Sequence, residues 1–200
     1  MENLEFKLNN LKDYIASLKS VAVAFSSGVD STFLLKTCSM VLNQNCTAIT
    51  VKSPFFPKKE LEEAIDFCKK EKIKHIILDI DILKNNDVII NPTNRCYLCK
   101  KEIFKNIKKV AYENNINYIL EGSNLDDDSD YRPGMKAIRE LNILSPLKHA
   151  DLNKAEIRLL SKKMDLKTYK KPSFACLASR IPYGEKITLN KLNMVEKGEK

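Results

Sequence analysis

Nowhere in this 200-residue chain do apolar residues run on for the roughly 20 positions that a membrane-spanning helix requires, so no transmembrane segment is expected. The N-terminus, Met1-Glu2-Asn3-Leu4-Glu5, lacks the basic and apolar regions of a secretory signal. Together the two absences point to a cytoplasmic location. There is also no internal repeat and no low-complexity block. Histidine is nearly absent: His75 leads into an apolar run and His149 follows Lys148 in a loop, neither placed as a ligand would be.

What is present suits an ordinary folded domain. A hydrophobic content of 44% over this length fills one core, with the start of a second unit. The net charge of +8 comes from lysines scattered beside Asn and Ile rather than gathered in one patch. Nucleic acid is therefore not an expected partner. The six cysteines, in a cytosolic setting, read as thiols, metal ligands or catalysts rather than disulfides. Cys38, Cys46 and Cys68 fall within or beside apolar helical and strand patterns, where cysteine behaves as a small hydrophobe. Cys96, Cys99 and Cys176 do not.

Periodicity gives the fold class. Leu4, Leu8, Leu11, Ile15 and Leu18 recur at helical spacing. Short apolar runs at 21–25, 47–51, 73–80 and 118–120 read as strands, and 143–147 as a fifth. Helical patterns begin near Phe33 and cover 59–70, 100–112, 153–164 and 190–200, whereas 168–184 is irregular and contains proline. This alternation predicts a doubly wound, mainly parallel α/β sheet. The expected division places a nucleotide-binding domain at 1–165. Residues 166–200 would form a functional loop and the beginning of a second, incomplete domain.

The run Ser26-Ser27-Gly28-Val29-Asp30-Ser31 ends the first strand and opens the next helix, where such sheets bind ligands. Backbone N–H groups and the positive helix end can receive phosphate, the hydroxyls of Ser26 and Ser31 add donors, and Asp30 can hold magnesium against the phosphates. A Walker loop would need a lysine before the last residue, and none is there. An ordinary helix cap would use the same residue types.

This run resembles the Ser-Gly-Gly-x-Asp-Ser signature of the PP-loop ATP pyrophosphatases. Ser27 stands where that family has glycine, which makes a positive φ less accessible. Three further stretches resemble one branch, the ATP-dependent sacrificial sulfur transferases of the LarE type. They are Asn94-Arg95-Cys96-Tyr97-Leu98-Cys99-Lys100, then Glu121 through Asp127 on to Asp130-Tyr131-Arg132-Pro133-Gly134, then Pro172-Ser173-Phe174-Ala175-Cys176-Leu177-Ala178-Ser179-Arg180. The resemblance runs from about Val21 to the C-terminus.

What it implies is that ATP, with Mg2+, adenylates the carboxylate of a small nucleotide-like molecule, of the kind used in nickel-pincer cofactor synthesis. A sulfur nucleophile then displaces AMP. It also implies nucleotide contacts at Ser26, Ser27, Gly28, Asp30, Ser31, Gly122, Asp127 and Arg132, and catalytic roles for Cys176, the sulfur residue, for Asp30 and for Arg180. Arg132 and Arg180 can clamp carboxylate or phosphate in pairs of hydrogen bonds, although either would serve equally in a surface ion pair. Arg180, four residues beyond Cys176, would lower the thiol's pKa. The acidic run at 126–130 either adds a carboxylate to the metal shell or is a solvated loop.

Cys96 and Cys99 alone fit a redox pair, half of a zinc site or two ligands of an iron–sulfur cluster. With Cys176 they make three thiolates, and the resemblance then favours a [4Fe-4S] cluster carrying a sulfide over sacrifice of Cys176. A homo-oligomer is expected. Two rival readings are a tRNA-thiolating PP-loop enzyme, although no RNA-binding module or paired zinc-ribbon motif is visible, and a non-catalytic adenine-nucleotide sensor.

Overall fold

The hydrophobic stripe at the N-terminus forms α1 (Glu2–Leu18), which buries Leu11 and Ile15 completely. It leads into β1 (Val21–Ala24) and α2 (Val29–Leu42) in a computed structural model that describes residues 2–128, 133–173 and 175–199. Then come β2 (Cys46–Lys52), α3 (Lys58–Glu71), β3 (Lys74–Asp79), the single turn α4 (Asn86–Ile89), α5 (Arg95–Glu113) and β4 (Tyr118–Leu120). Short helices α6 (Gly134–Glu140) and α7 (Pro146–His149) precede α8 (Lys154–Lys163) and α9 (Leu189–Gly198). No helix among the described residues is long and apolar enough to cross a membrane.

The four strands are all parallel and lie in the order β3-β2-β1-β4, with Val21 opposite Cys46 on one side and Tyr118 on the other. Because side chains alternate across a strand, β1 faces two cores. Val21 and Val23 pack with Leu34 and Leu35 of α2, Ala64 of α3 and Ile157 of α8. Ala22 faces the opposite layer, with Ile103 and Ile107 of α5 and Ile138 of α6. The doubly wound arrangement is therefore as the alternation predicts. Cys38, Cys46 and Cys68 are buried in the first layer as hydrophobes.

The chain moves from β1 outward through β2 to β3, then α5 carries it back across the other face to β4, on the far side of β1. The strand order thus reverses between β1 and β4. In open parallel sheets it is at such a reversal, beyond the carboxyl ends of the strands, that ligands bind.

Two predicted elements come out differently. The fifth strand at 143–147 reduces to one parallel bridge between Leu120 and Leu144, because Pro146 fits the first turn of a helix and starts α7. Helix α5 starts at Arg95 rather than Lys100, so Cys96 and Cys99 fall in its first turns on one face. The stretch at 168–184 is irregular as expected, with 3-10 turns at Lys167–Lys170 and Leu177–Arg180. Leu177, Ala178, Ile181, Ile187 and Leu192 of α9 all pack into the second core.

Candidate active site

At the end of β1 the backbone turns through Ser27, which takes φ 53, the left-handed conformation that glycine usually fills. The sequence makes this conformation costly for serine, and the structure adopts it with compensation: the Ser27 hydroxyl donates to the Glu60 carbonyl at 3.0 Å. The hydroxyl therefore points away from the loop's mouth. Gly28 has an ordinary extended backbone (φ −73) and caps α2 without a side chain. A Cβ there would lie 3.4 Å from Ser26 Oγ and 3.9 Å from Ser31 Oγ, ordinary contact distances, so glycine leaves the two hydroxyls uncovered. Those hydroxyls are 3.1 Å apart. Together with the N-terminus of the 14-residue α2 they form a cradle of donors for an anion.

Gly122, just past β4, closes the other side. An added Cβ would meet the Ser31 backbone nitrogen at 3.0 Å and the Asp30 carbonyl carbon and Cβ at 3.3 Å. Only glycine lets the β4 loop approach α2 this closely. Its neighbour Glu121 is buried, accepting hydrogen bonds from Ser123 N at 3.1 Å, Ser123 Oγ at 2.7 Å and the Ser145 hydroxyl. That carboxylate fastens β4 to the segment entering α7.

Asp30 is held in the first turn of α2. One carboxylate oxygen is paired with Lys154 Nζ, and the other, Oδ1, is buried with no hydrogen-bond partner. An orphaned buried carboxylate oxygen is a site short of a cation. This fits the magnesium role expected of Asp30. Lys154 supplies the positive charge that the loop itself lacks, and its backbone N–H donates to Asp126 Oδ2 at 2.9 Å. The acidic turn is thereby joined to the phosphate loop. Within that turn the Asp127 carboxylate accepts from Asn124 N at 2.9 Å. Arg132 and Asp130 lie outside the described residues.

A second lysine grips the loop from behind. Lys171 Nζ donates to Ser27 O at 3.1 Å and pairs with Glu63. Burial raises the pKa of the nearby Glu60 carboxyl, opposed by Lys171 and reinforced by Glu63.

The three cysteines form a separate patch on the second core. Cys99 is buried, Cys96 and Cys176 half-buried. Burial pushes the Cys99 thiol up to about 12, with Cys176 and Cys96 adding to the rise, so the three sulfurs are within electrostatic reach of one another. Among the described residues no three Cys, His, Asp or Glu side chains converge as ligands of a single metal ion. Thiols are the donor type that zinc and iron–sulfur clusters both take.

The cation of this patch is not the expected one. Arg180 sits on a 3-10 turn whose inward residues are Leu177 and Ala178, so its own side chain is turned outward and pairs with Glu199 at 2.7 Å. Arg95, which the sequence reading passed over, is only 3% exposed. It donates to Asn91 Oδ1 at 2.7 Å, to the Ala178 carbonyl at 2.8 Å and, more weakly, to Cys96 Sγ at 3.8 Å. It is also the cation that opposes the rise in the Cys176 pKa, a rise caused first by burial. The thiol therefore ends above, not below, its ordinary value, contrary to the expectation drawn from Arg180.

His75 and His149 are structural, as expected. The first meets Thr50 Oγ1 at 2.8 Å and burial lowers its pKa. The second stacks on Tyr14, with ring centroids 4.1 Å apart.

The loop Ser26–Ser31, carried between β1 and α2 at the switch point of a parallel sheet, places the chain in the class of the PP-loop ATP pyrophosphatases. Comparison with known proteins agrees. Residues 4–119 match the family described as NAD synthase. The chain is 31% identical over its full length to pyridinium-3,5-bisthiocarboxylic acid mononucleotide synthase of Lactiplantibacillus plantarum, and covers 73% of that protein. It is 40% identical, over 98% of its length and 73% of the relative's, to an uncharacterized protein of Synechocystis. Among solved structures, the NH3-dependent NAD synthetase of Campylobacter jejuni superposes with a TM-score of 0.65 at 16% identity, covering 97% of this chain and 92% of that one. The U34-tRNA thiolase NcsA of Methanococcus maripaludis, with its [4Fe-4S] cluster, gives 0.61 at 21% identity, covering 96% and 72%. The chain belongs to the NAD synthase family of PP-loop enzymes, and within it is an ATP-using sulfur transferase of the LarE type.

Proposed function

We propose that the enzyme adenylates a carboxylate of a small nucleotide-like acid, of the pyridinium-3,5-biscarboxylic acid mononucleotide class, and converts it to the thiocarboxylate, a step of nickel-pincer cofactor synthesis. The observation that carries this reading is the orphaned Oδ1 of Asp30 beside the cradle that Gly28 leaves open and Gly122 closes. The product named for the Lactiplantibacillus plantarum relative supplies the substrate class.

In this reading the substrate carboxylate attacks the α-phosphorus of ATP and pyrophosphate leaves, which turns a poor electrophile into an acyl phosphate ester with AMP as leaving group. The charge growing on the departing pyrophosphate is met by the α2 N-terminus, the Ser26 and Ser31 hydroxyls and Lys154. Asp30 would hold magnesium, which when bound would supply Lewis-acid stabilisation of that charge. A sulfur nucleophile then attacks the acyl carbon and AMP departs.

Two sources of that sulfur are open to this chain. Cys176 can form a thioester and lose its own sulfur by cleavage of its Cβ–S bond, leaving dehydroalanine. Alternatively, Cys96, Cys99 and Cys176 would hold a [4Fe-4S] cluster, which would supply sulfide from outside the polypeptide. The common patch of the three thiols favours the second, with Arg95 as the adjacent cation.

The test is pyrophosphate and thiocarboxylate formation by anaerobically purified protein, followed by intact-mass measurement. A cluster predicts a brown chromophore, repeated turnover with sulfide and unchanged polypeptide mass. Sacrifice predicts one turnover and a loss of about 34 Da, the mass of hydrogen sulfide. Asp30→Ala should abolish AMP formation in either case, and normal AMP formation in that variant would sink the site. The competing reading, tRNA thiolation, is kept by the net charge of +8 and by the fold shared with the thiolase. Retention of bulk tRNA on a filter at physiological salt would favour it.

A further inference from the structure

The phosphate loop is gripped at both ends from one face of α8. Lys154 and Arg158 are four residues apart and so lie on the same side of that helix. Lys154 holds Asp30 directly. Arg158 acts through an intermediary: its guanidinium donates to the Tyr169 carbonyl and, at 2.8 Å, to the Lys171 carbonyl, fixing the backbone of 169–171 against α8. From there the Lys171 ammonium reaches Ser27, donating to its carbonyl at 3.1 Å and to its hydroxyl at 3.4 Å. Glu63 of α3 supplies the counter-charge. The Lys171 side chain is only 15% exposed, so this contact is enclosed rather than incidental.

Ser27 is the loop residue held at φ 53. A non-glycine residue there costs about 1 kcal/mol or more and persists only where its surroundings hold it. The groups that hold it are the Glu60 carbonyl and Lys171. Lys171 is also five residues before Cys176, a tether of at most about 18 Å when fully extended. The Cys176 loop is anchored at its far end, where Leu177 N donates to Phe55 O at 3.0 Å. The segment from 171 to 177 is thus tied to the phosphate loop at one end and to the second core at the other.

We propose that Lys171 is a positioning residue that registers the Cys176 loop on the phosphate loop, so that sulfur is delivered only onto an adenylate formed there. The inference rests on the proposed function in taking Cys176 to serve sulfur delivery. Without the Lys171 ammonium a smaller share of the adenylate that forms meets the sulfur, whatever the change in the rate of adenylation, and the rest is hydrolysed by water, releasing AMP and the original carboxylate. Misalignment of about 1 Å commonly costs up to about a hundredfold in a transfer step.

The experiment uses the full chain and its Lys171→Met, Lys171→Arg and Glu63→Gln variants. Pyrophosphate released and thiocarboxylate formed are measured on the same samples, and hydrogen exchange of 172–180 is followed with and without a non-hydrolysable ATP analogue. Lys171→Met should lower thiocarboxylate per pyrophosphate by about tenfold or more, Lys171→Arg should recover most of it, and Glu63→Gln should show a smaller loss in the same direction. The analogue should protect 172–180 in the wild type and not in Lys171→Met. Pyrophosphate and thiocarboxylate falling in equal proportion would reduce Lys171 to a structural role and overturn the proposal, as would unchanged coupling in Glu63→Gln should Lys171→Met not fold. Absence of pyrophosphate release by the wild type with any acid would instead refute the proposed function, while the exchange measurement would still report on the Lys171 contact.

Discussion

Gly122→Ala is the most direct test of how the site is built. The added methyl would lie 3.0 Å from the backbone nitrogen of Ser31 and 3.3 Å from two atoms of Asp30. Two of those three atoms are main chain at the start of α2, so no side-chain rotation relieves the clash. The β4 loop and the helix must instead separate by a few tenths of an ångström. Overpacking of this kind costs about 1–3 kcal/mol, and each kcal/mol lowers Tm by about 2–4 °C in a chain of this length. The larger effect should be functional. Asp30 and Ser31 move with the helix, away from the phosphates they address, and pyrophosphate release should fall about ten- to a hundredfold. Differential scanning calorimetry and a coupled pyrophosphate assay read the two losses separately. A variant with wild-type Tm and wild-type release would refute the close approach of β4 to α2 on which the site rests.

Two other outcomes follow from the same geometry. Ser27→Gly relieves a left-handed serine, about 1 kcal/mol, but gives up the hydrogen bond to Glu60 and adds backbone freedom to the unfolded chain. The terms nearly cancel, so chemical denaturation should detect less than about 1 kcal/mol of destabilisation with ATP affinity retained. In metal-free protein, iodoacetamide should modify Cys96 well before Cys99, because a buried thiol pushed up to about 12 is thiolate at pH 8 in only about one molecule in ten thousand. Early labelling of Cys99, located by peptide mass spectrometry, would contradict its burial.

The parts of this fold that local pattern governs were legible in the sequence. Alternating β1 and the stripe of α1 depend on near neighbours, and the turn Ser26-Ser27-Gly28 is where it was expected. What local pattern cannot carry is pairing over distance. Lys154 and Lys171 complete the phosphate loop from 124 and 144 residues away, and nothing near either lysine in the chain marks them apart from their neighbours. Arg180 was singled out because it is close to Cys176 in sequence, but the turn that buries Leu177 and Ala178 sends it outward. Arg95 did carry a signal, standing immediately before Cys96 and, once α5 is extended back to it, at the start of a helix. The fifth strand failed because a run of apolar residues containing proline can end a strand or begin a helix, and the bridge at Leu144 leaves room for only the latter.

The four residues of β1 belong to both layers at once, Val21 and Val23 facing one and Ala22 the other, with all three fully buried. Neither layer can open without removing the wall of its neighbour. The layer under the phosphate loop and the layer under the thiols thus share one wall, and the two are expected to open together rather than separately. For evolution this is a constraint on tinkering: a loosening substitution beneath the thiol patch is expected to be felt at the phosphate loop as well, whereas changes in loops beyond the strand ends leave the shared wall intact.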